Sequence, residues 1–465
     1  MHRLDCPSKV ISGRIFRINS FFRSTILQTS SAEYLDVKRD VLIEVRAGII
    51  RRIDPASSRH DLLSDKSVRV TTLSEGTYLL PGFVDCHVHA PQWPQLGIGL
   101  DLPLERWLFD YTFPLESKFE NLDYANAIWS EMVPALLGEG TTTAVYFSSI
   151  HNEATLALAK TCLRFGQRSF IGRVAMDRVD GTPEYYRDAS ASEGILLSRE
   201  SISQIRSLDA GRGLISPIIT PRFTPACTDA LLSGLGELAI ETGAHIQTHC
   251  SESDWQHQYA LERFRVSDTQ ALKRFNLLQK NTVLAHGNYT SVNDWDIMCA
   301  SGAGIAHCPL SNAYFAGGVF PARRAISHGL TVGLGTDISG GSDSSVLAQC
   351  HNALTASQYL DSGVDVRKNS QDRGVPNSRL GVVTAFWMAT LGGANLLGLP
   401  VGQLEVGKPF DAIAVQVLGA EIEPVRNDSF NRELQTIERI LRRSRSAQIT
   451  DVWVAGNRVS GIKES

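Results

Sequence analysis

Pro81-Gly82-Phe83-Val84-Asp85-Cys86-His87-Val88-His89-Ala90-Pro91-Gln92 is the stretch from which the rest of the chain is read. A Pro-Gly turn launches a short apolar run, and the run ends in two histidines one residue apart. Side chains at i and i+2 of a strand share a face, so His87 and His89 project together, as two imidazoles must to grip one metal ion. Neutral imidazole is a favoured ligand of zinc and its neighbours. The same pair is also what two incidental half-buried histidines look like. The metal reading therefore needs partners further along.

Working outward, apolar runs recur at 83–88, 142–147, 169–175, 214–220, 245–248, 282–285, 304–306 and 330–335, with amphipathic stretches such as 121–137, 153–165, 229–242 and 292–299 between them. Strand alternating with helix predicts an α/β fold with parallel strands, and eight such units over 81–399 fit a (β/α)8 TIM-type barrel. A doubly wound open sheet is the alternative, but no G-x-G-x-x-G follows an early strand. The flanks alternate like β-strands: 13–18, a hairpin of 41–45 and 49–53 around Arg46-Ala47-Gly48, one more strand within 62–73, then 410–417 and 449–459 with a turn at Ala455-Gly456-Asn457. Neither flank has enough strands to close a sheet alone. The simplest assembly is a small β-sandwich domain built from 10–80 and 400–462, with the barrel inserted. Residues 361–380 read as a surface loop, and 384–397 and 433–445 as helices.

Composition narrows the function classes. The chain has 465 residues, 43% hydrophobic and 20% charged, which is ordinary for a soluble globular protein. A net charge of −4 offers no basic field for nucleic acid or an anionic membrane, and no apolar run spans a bilayer. Nucleic-acid deaminases of the zinc type also carry H-x-E with P-C-x-x-C, which this chain lacks. The first twenty residues, interrupted by Arg3, Asp5, Lys9, Arg14 and Arg17, do not form a secretory signal. Eight scattered cysteines without a C-x-x-C pair read as thiols of a reducing cytosol, so the expected location is cytoplasmic.

The polar residues decide the chemistry. Catalytic groups of such barrels cluster where strands end. His87 and His89 close the first run, Thr220-Pro221-Arg222-Phe223 the fourth, His249 with Glu252 the fifth, His286 the sixth and Asp337 the eighth. Each has a dull reading by itself: His249 as a satisfied core histidine, Asp337 as a helix cap. Together they predict one metal ion on His87, His89, His249 and Asp337. A two-metal site would need a further bridging ligand, commonly a modified lysine ending the fourth strand, where this chain has Arg222. An open zinc site suits catalysis because bound zinc brings the pKa of water to ~7. His286 is placed to hold the attacking water, Asp337 to accept its proton as well as ligate, and Glu252 to ferry a proton to a departing amine. The chemistry is hydrolytic attack on an electrophilic carbon with ammonia or an amine leaving.

These residues, with Y-T-F-P-L-E at 111–116, P-R-F at 221–223, Q-T-H-C-S-E at 247–252, L-A-H-G at 284–287, I-A-H-C-P-L-S-N at 305–312 and G-L-G-T-D-I-S-G-G at 333–341, make a chain that resembles the guanine deaminases of the amidohydrolase superfamily. H-x-H and G-T-D mark the superfamily; H-A-P-Q, Y-T-F-P and P-R-F narrow it. The resemblance implies one zinc per chain on His87, His89, His249 and Asp337, Glu252 as proton shuttle, purine contacts from Gln92, Arg222 and Phe223, a homodimer, and conversion of guanine to xanthine and ammonia. One departure is Leu310, where a polar residue is more usual. The residues agree with it: guanine offers O6 and N7 as adjacent acceptors, which an Arg222 fork matches, while Gln92 can donate and accept at the N3 edge. Phe223, or Trp93 beside Gln92, is placed to stack on the ring. Rival readings are a zinc hydrolase of another aminated or halogenated heterocycle (8-oxoguanine, an s-triazine, a cytosine-like ring) and a non-catalytic barrel scaffold.

Overall fold

A computed structural model describes residues 19–417 and 429–461. The expected strand over 13–18, and the outermost residues of the expected small domain, lie outside the described residues.

The chain opens with β1 (Asn19–Ser31), β2 (Tyr34–Arg46), β3 (Ile49–Pro55), β4 (Val70–Thr72) and β5 (Thr77–Pro81). β2 and β3 form the expected hairpin, and Ala47 and Gly48 turn it at φ of 51° and 77°. The strand expected within 62–73 is cut short. Residues His60–Ser64 are helical and only β4 is extended, pairing with β1. Charged Asp65 and Lys66 and the Asp65–Ser67 turn interrupt the apolar pattern there.

The barrel follows with β6 (Phe83–His89), β7 (Thr141–Phe147), β8 (Arg168–Gly172), β9 (Val174–Ala175), β10 (Ile215–Pro221), β11 (His245–Cys250), β12 (Val283–His286), β13 (Gly304–His307) and β14 (Thr331–Leu334). The strands run parallel in sequence order, β9 continuing β8 alongside β10. β6 and β7 are buried at every position, as a strand covered on both faces must be. The ring is drawn together where β14 ends: Asp337 N–H donates to the His87 carbonyl at 2.9 Å, and His89 N–H to that of Ile338 at 3.0 Å. Helices between strands start and stop where local chemistry dictates. Thr228 accepts from Leu231 N–H to cap Asp229–Thr242, and Gly243 ends that helix at φ 63°. The helix expected over 384–397 is present, with a π-turn at Met388–Gly392 where small residues pack under the barrel.

β15 (Ala412–Gln416), β16 (Ile449–Val454) and β17 (Asn457–Gly461) return to pair with β5, completing one eight-stranded mixed sheet from the two ends of the chain. The sheet curls over its own core, because the β2–β3 turn and the β16–β17 turn, far apart in strand order, meet through Phe410, whose N–H donates to the Gly48 carbonyl and whose carbonyl accepts from Gly456 N–H. Phe22, Phe410 and Trp453 fill the inside, the first two stacked at 4.5 Å. Arg168 at the start of β8 binds Asp411 at 2.9 and 3.2 Å and ties this sheet to the barrel. No helix of the described residues is long and apolar enough to cross a membrane.

Candidate active site

At the C-terminal mouth of the barrel the ends of β6, β11, β12 and β14 bring His87, His89, His249, His286 and Asp337 together, all buried. Nε2 of His87 is 3.1 Å from Asp337 Oδ1, His89 Nε2 is 3.6 Å from the same oxygen, and His286 Nε2 is 3.9 Å from Asp337 Oδ2. Nε2 of His89 and Nε2 of His249 face each other at 2.9 Å. Ligating atoms of His87, His249, His286 and Asp337 lie within 4.8 Å of one another.

Outer partners fix how these rings face. The Nδ1 of His249 bonds the Arg222 carbonyl at 2.6 Å, and that of His286 bonds Asn312 Oδ1 at 3.0 Å. Each ring is thereby held with Nδ1 as donor and a bare Nε2 lone pair turned inward, the usual arrangement of a metal-binding histidine. Both nitrogens of His87, Nδ1 of His89 and Nε2 of His286 are buried without a hydrogen-bond partner. Burial pushes His87, His89 and His249 below the usual imidazole range, which keeps them neutral. Buried polar atoms are normally paired, so neutral lone pairs converging beside a carboxylate fit a cation. By distance alone His286 is as close to the cluster as His89.

The backbone beneath is unusual. Ser251, His286 and Asp337 adopt φ of 49°, 74° and 51°, a region that side chains other than glycine enter at about 1–3 kcal/mol each. Buried acids hold two of these bends, those at Ser251 and Asp337. Asp85 takes Thr336 N–H at 3.0 Å and its hydroxyl at 2.5 Å, joining β6 to the end of β14. Asp268 takes Ser251 N–H at 3.0 Å and Gln256 Nε2 at 2.7 Å. Burial raises both carboxyls, Asp85 to about 7 and Asp268 to about 6. Glu252 is buried in the next loop, 3.7 Å from His286 Nε2, and burial lifts its carboxyl to about 7, where a group can both take and give a proton.

The pocket beside this cluster is lined by His89, Gln92, Arg222, Phe223, His249, Glu252 and Asp337, with Leu104, Trp107, Leu108 and Phe315 forming its apolar side. Two expectations change. Trp93 does not reach the pocket: in the 3₁₀ turn Ala90–Gln95 it points away from Gln92, and its indole N–H donates to Glu131 at 3.0 Å. The Arg222 fork already has a partner, since Glu116 accepts from it at 2.6 and 3.1 Å. Gln92 also donates to Glu116, at 2.8 Å, and its oxygen accepts from Ser339 N–H at 3.0 Å.

Sequence reasoning gave no role to Glu116, Asp85, Asp268, Asn312, Trp107 or Phe315. Glu116 closes the quoted Y-T-F-P-L-E segment and Asp85 sits inside the opening stretch, but nothing local tells which distant group a buried acid meets. Trp107 and Phe315 stand beside or within π-turns (Leu108–Thr112 and Asn312–Ala316), whose register helical periodicity does not forecast. Leu310 is not among the lining residues.

Residues 78–459 match the model of the amidohydrolase family. The chain is 36% identical over 419 residues to a probable guanine deaminase of Schizosaccharomyces pombe, covering 89% of this chain and 76% of that one. It is 34% identical over 455 residues to the guanine deaminase of Homo sapiens, covering 96% and 97%. A crystal structure of guanine deaminase from C. acetobutylicum with guanine in its active site superposes with a TM-score of 0.82 at 27% identity, covering 95% of this chain and all of that one. The chain belongs to the amidohydrolase family, in its guanine deaminase branch.

Proposed function

We propose that the chain hydrolyses guanine to xanthine and ammonia, with one zinc ion held by His87, His89, His249 and Asp337. What carries the reading is the histidine–aspartate cluster with its unpaired ring nitrogens at the floor of a pocket that Arg222 and Gln92 also line. When bound, such an ion acts as a Lewis acid and makes water a nucleophile near neutral pH.

The chain's own groups do the rest. Arg222 and Gln92 hold the acceptor edge of the purine, and Phe223 lies against its face. Leu104, Trp107, Leu108 and Phe315 keep bulk water out, which strengthens every polar contact inside. Glu252 takes a proton from the attacking water and passes it to the ring nitrogen beside the attacked carbon, then takes the remaining proton of the added hydroxyl and gives it to the amine as the C–N bond breaks and the carbonyl forms. His286, fixed by Asn312, keeps Nε2 turned toward Glu252 and Asp337 and orients the water between them. Asp337 adds negative charge where that water gives up its proton.

The test is a guanine-to-xanthine absorbance assay on purified protein, with a chelator control and zinc restoration. Turnover abolished by the chelator and restored by zinc is expected. Ammonia released from 8-oxoguanine, an s-triazine or a cytosine-like ring but not from guanine would overturn the substrate. The resemblance to guanine deaminases also supports a homodimer, measurable by light scattering, and the cytoplasm as its compartment.

A further inference from the structure

We infer that Glu116 is a positioning residue that sets which purine is accepted, by holding Arg222 and Gln92 so that they present only donors to the pocket; this rests on the guanine reading above. Glu116 is fully buried and does not itself line the pocket, whereas both of its partners do. An arginine can only donate, but a glutamine amide is ambiguous, since half a turn about its last bond exchanges its NH2 for its oxygen. Here the amide is clamped at both ends. Its Nε2 donates to Glu116 Oε1 at 2.8 Å and its Oε1 accepts from Ser339 N–H at 3.0 Å. Turning it would set oxygen against carboxylate and NH2 against N–H. What Gln92 has left to offer is its second N–H.

The same carboxylate holds Arg222 by both terminal nitrogens, at 2.6 and 3.1 Å, and the guanidinium lies 4.9 Å from the Phe113 ring, one helical turn before Glu116. One short helix, Phe113–Glu116, thus fixes the guanidinium by its edge and by its face. Burial alone would pull Arg222 down; the Glu116 carboxylate outweighs it and keeps the group charged. The N–H groups that Glu116 does not use remain for the ligand. A wall of donors takes the adjacent O6 and N7 acceptors of guanine and meets the 6-amino group of adenine donor to donor.

The experiment compares wild type, Glu116→Gln, Glu116→Asp, Arg222→Gln and the double variant Glu116→Gln/Arg222→Gln, with metal content measured for each. Guanine kinetics are read alongside the inhibition constant of adenine. The neutral amide of the Glu116→Gln variant frees the Gln92 side chain to turn. With metal content unchanged, KM for guanine should rise about tenfold and kcat stay within about threefold, the pattern of lost ground-state positioning. The preference for guanine over adenine should fall by about tenfold as well. Glu116→Asp keeps the charge and should lie between. In the Arg222→Gln background the Glu116→Gln substitution should cost clearly less than in wild type, about threefold, because one of the two groups it acts through is already removed and only the release of Gln92 remains. Unchanged guanine-over-adenine preference, equal cost in both backgrounds, or failure of both Glu116 variants to fold would overturn the inference. A wild-type protein that ignores guanine sinks the underlying substrate reading instead, and the two failures are told apart by that first measurement.

Discussion

The two walls of the pocket are built on opposite terms. On one, where His89 and His249 line the pocket with His87 and His286 behind them, ring nitrogens of His87, His89 and His286 are buried with nothing to bond. On the other, Arg222 and Gln92 are satisfied by Glu116 behind them through contacts of 2.6–3.1 Å. Buried polar atoms left unpaired cost free energy, so the first wall gains from a cation that fills it. The second is complete before any ligand arrives and is preorganised to receive one. On the function proposed above, affinity for metal and selectivity for substrate are divided between neighbouring surfaces, and each can be disturbed separately.

The sharpest break of that contrast is His249→Ala. It removes a lone pair from the first wall, and with it the ring's bond to the Arg222 carbonyl but not the Arg222–Glu116 side-chain pair, so activity should fall about a thousandfold or more and bound metal should be lost. Metal analysis beside an activity assay checks this, and a protein that keeps its metal defeats the assignment. Zinc added to stripped wild type should raise Tm, and added to the variant should not.

Arg222→Ala attacks the other wall. It leaves Glu116 buried and uncompensated, so stability should drop by about 3–5 kcal/mol in urea unfolding. At a temperature where the variant is folded, kcat/KM for guanine should fall more than about tenfold with metal retained. A loss smaller than that means the wall does not read the substrate.

Trp93→Phe lies just outside the second wall and should leave kcat/KM within about twofold. It gives up an indole bond to Glu131 worth about 1 kcal/mol at most. A larger kinetic effect would put Trp93 back in the pocket.

The smallest expected effect concerns a half-satisfied carboxyl belonging to neither wall. Glu139 accepts from Ser344 through one oxygen, the other is buried and unpaired, and burial raises the group from 4.5 to about 7. A folded-state pKa above the unfolded one gives stability that is whole below about pH 4.5 and lost as pH climbs through 7. Glu139→Gln removes that dependence, so the Tm of the variant relative to wild type should increase from pH 5 to pH 8. A flat difference across that range contradicts the sign.

Much of this was legible in the chain itself, for a physical reason. A barrel strand is a continuous apolar run, and its last residue is obliged to face the mouth, so runs ending in His87-Val88-His89, His249, His286 and Asp337 announce both fold and cluster. The ion pair was not legible, because Glu116 and Arg222 stand 106 positions apart and neither carries a periodic signal of the other. Trp93 misled because adjacency to Gln92 implies shared direction only in regular structure, and the 3₁₀ turn rotates neighbours apart. The segment 62–73 misled because three short charged or polar positions broke its alternation before a strand could form.

The strand that carries His87 follows directly on β5, and β5 is held from its other side by β15. Without β15, the edge of β5 at residues 77–81 would present an unpaired row of backbone donors and acceptors. The segment that leads into His87 and His89 is thus braced by backbone lying beyond the barrel in sequence.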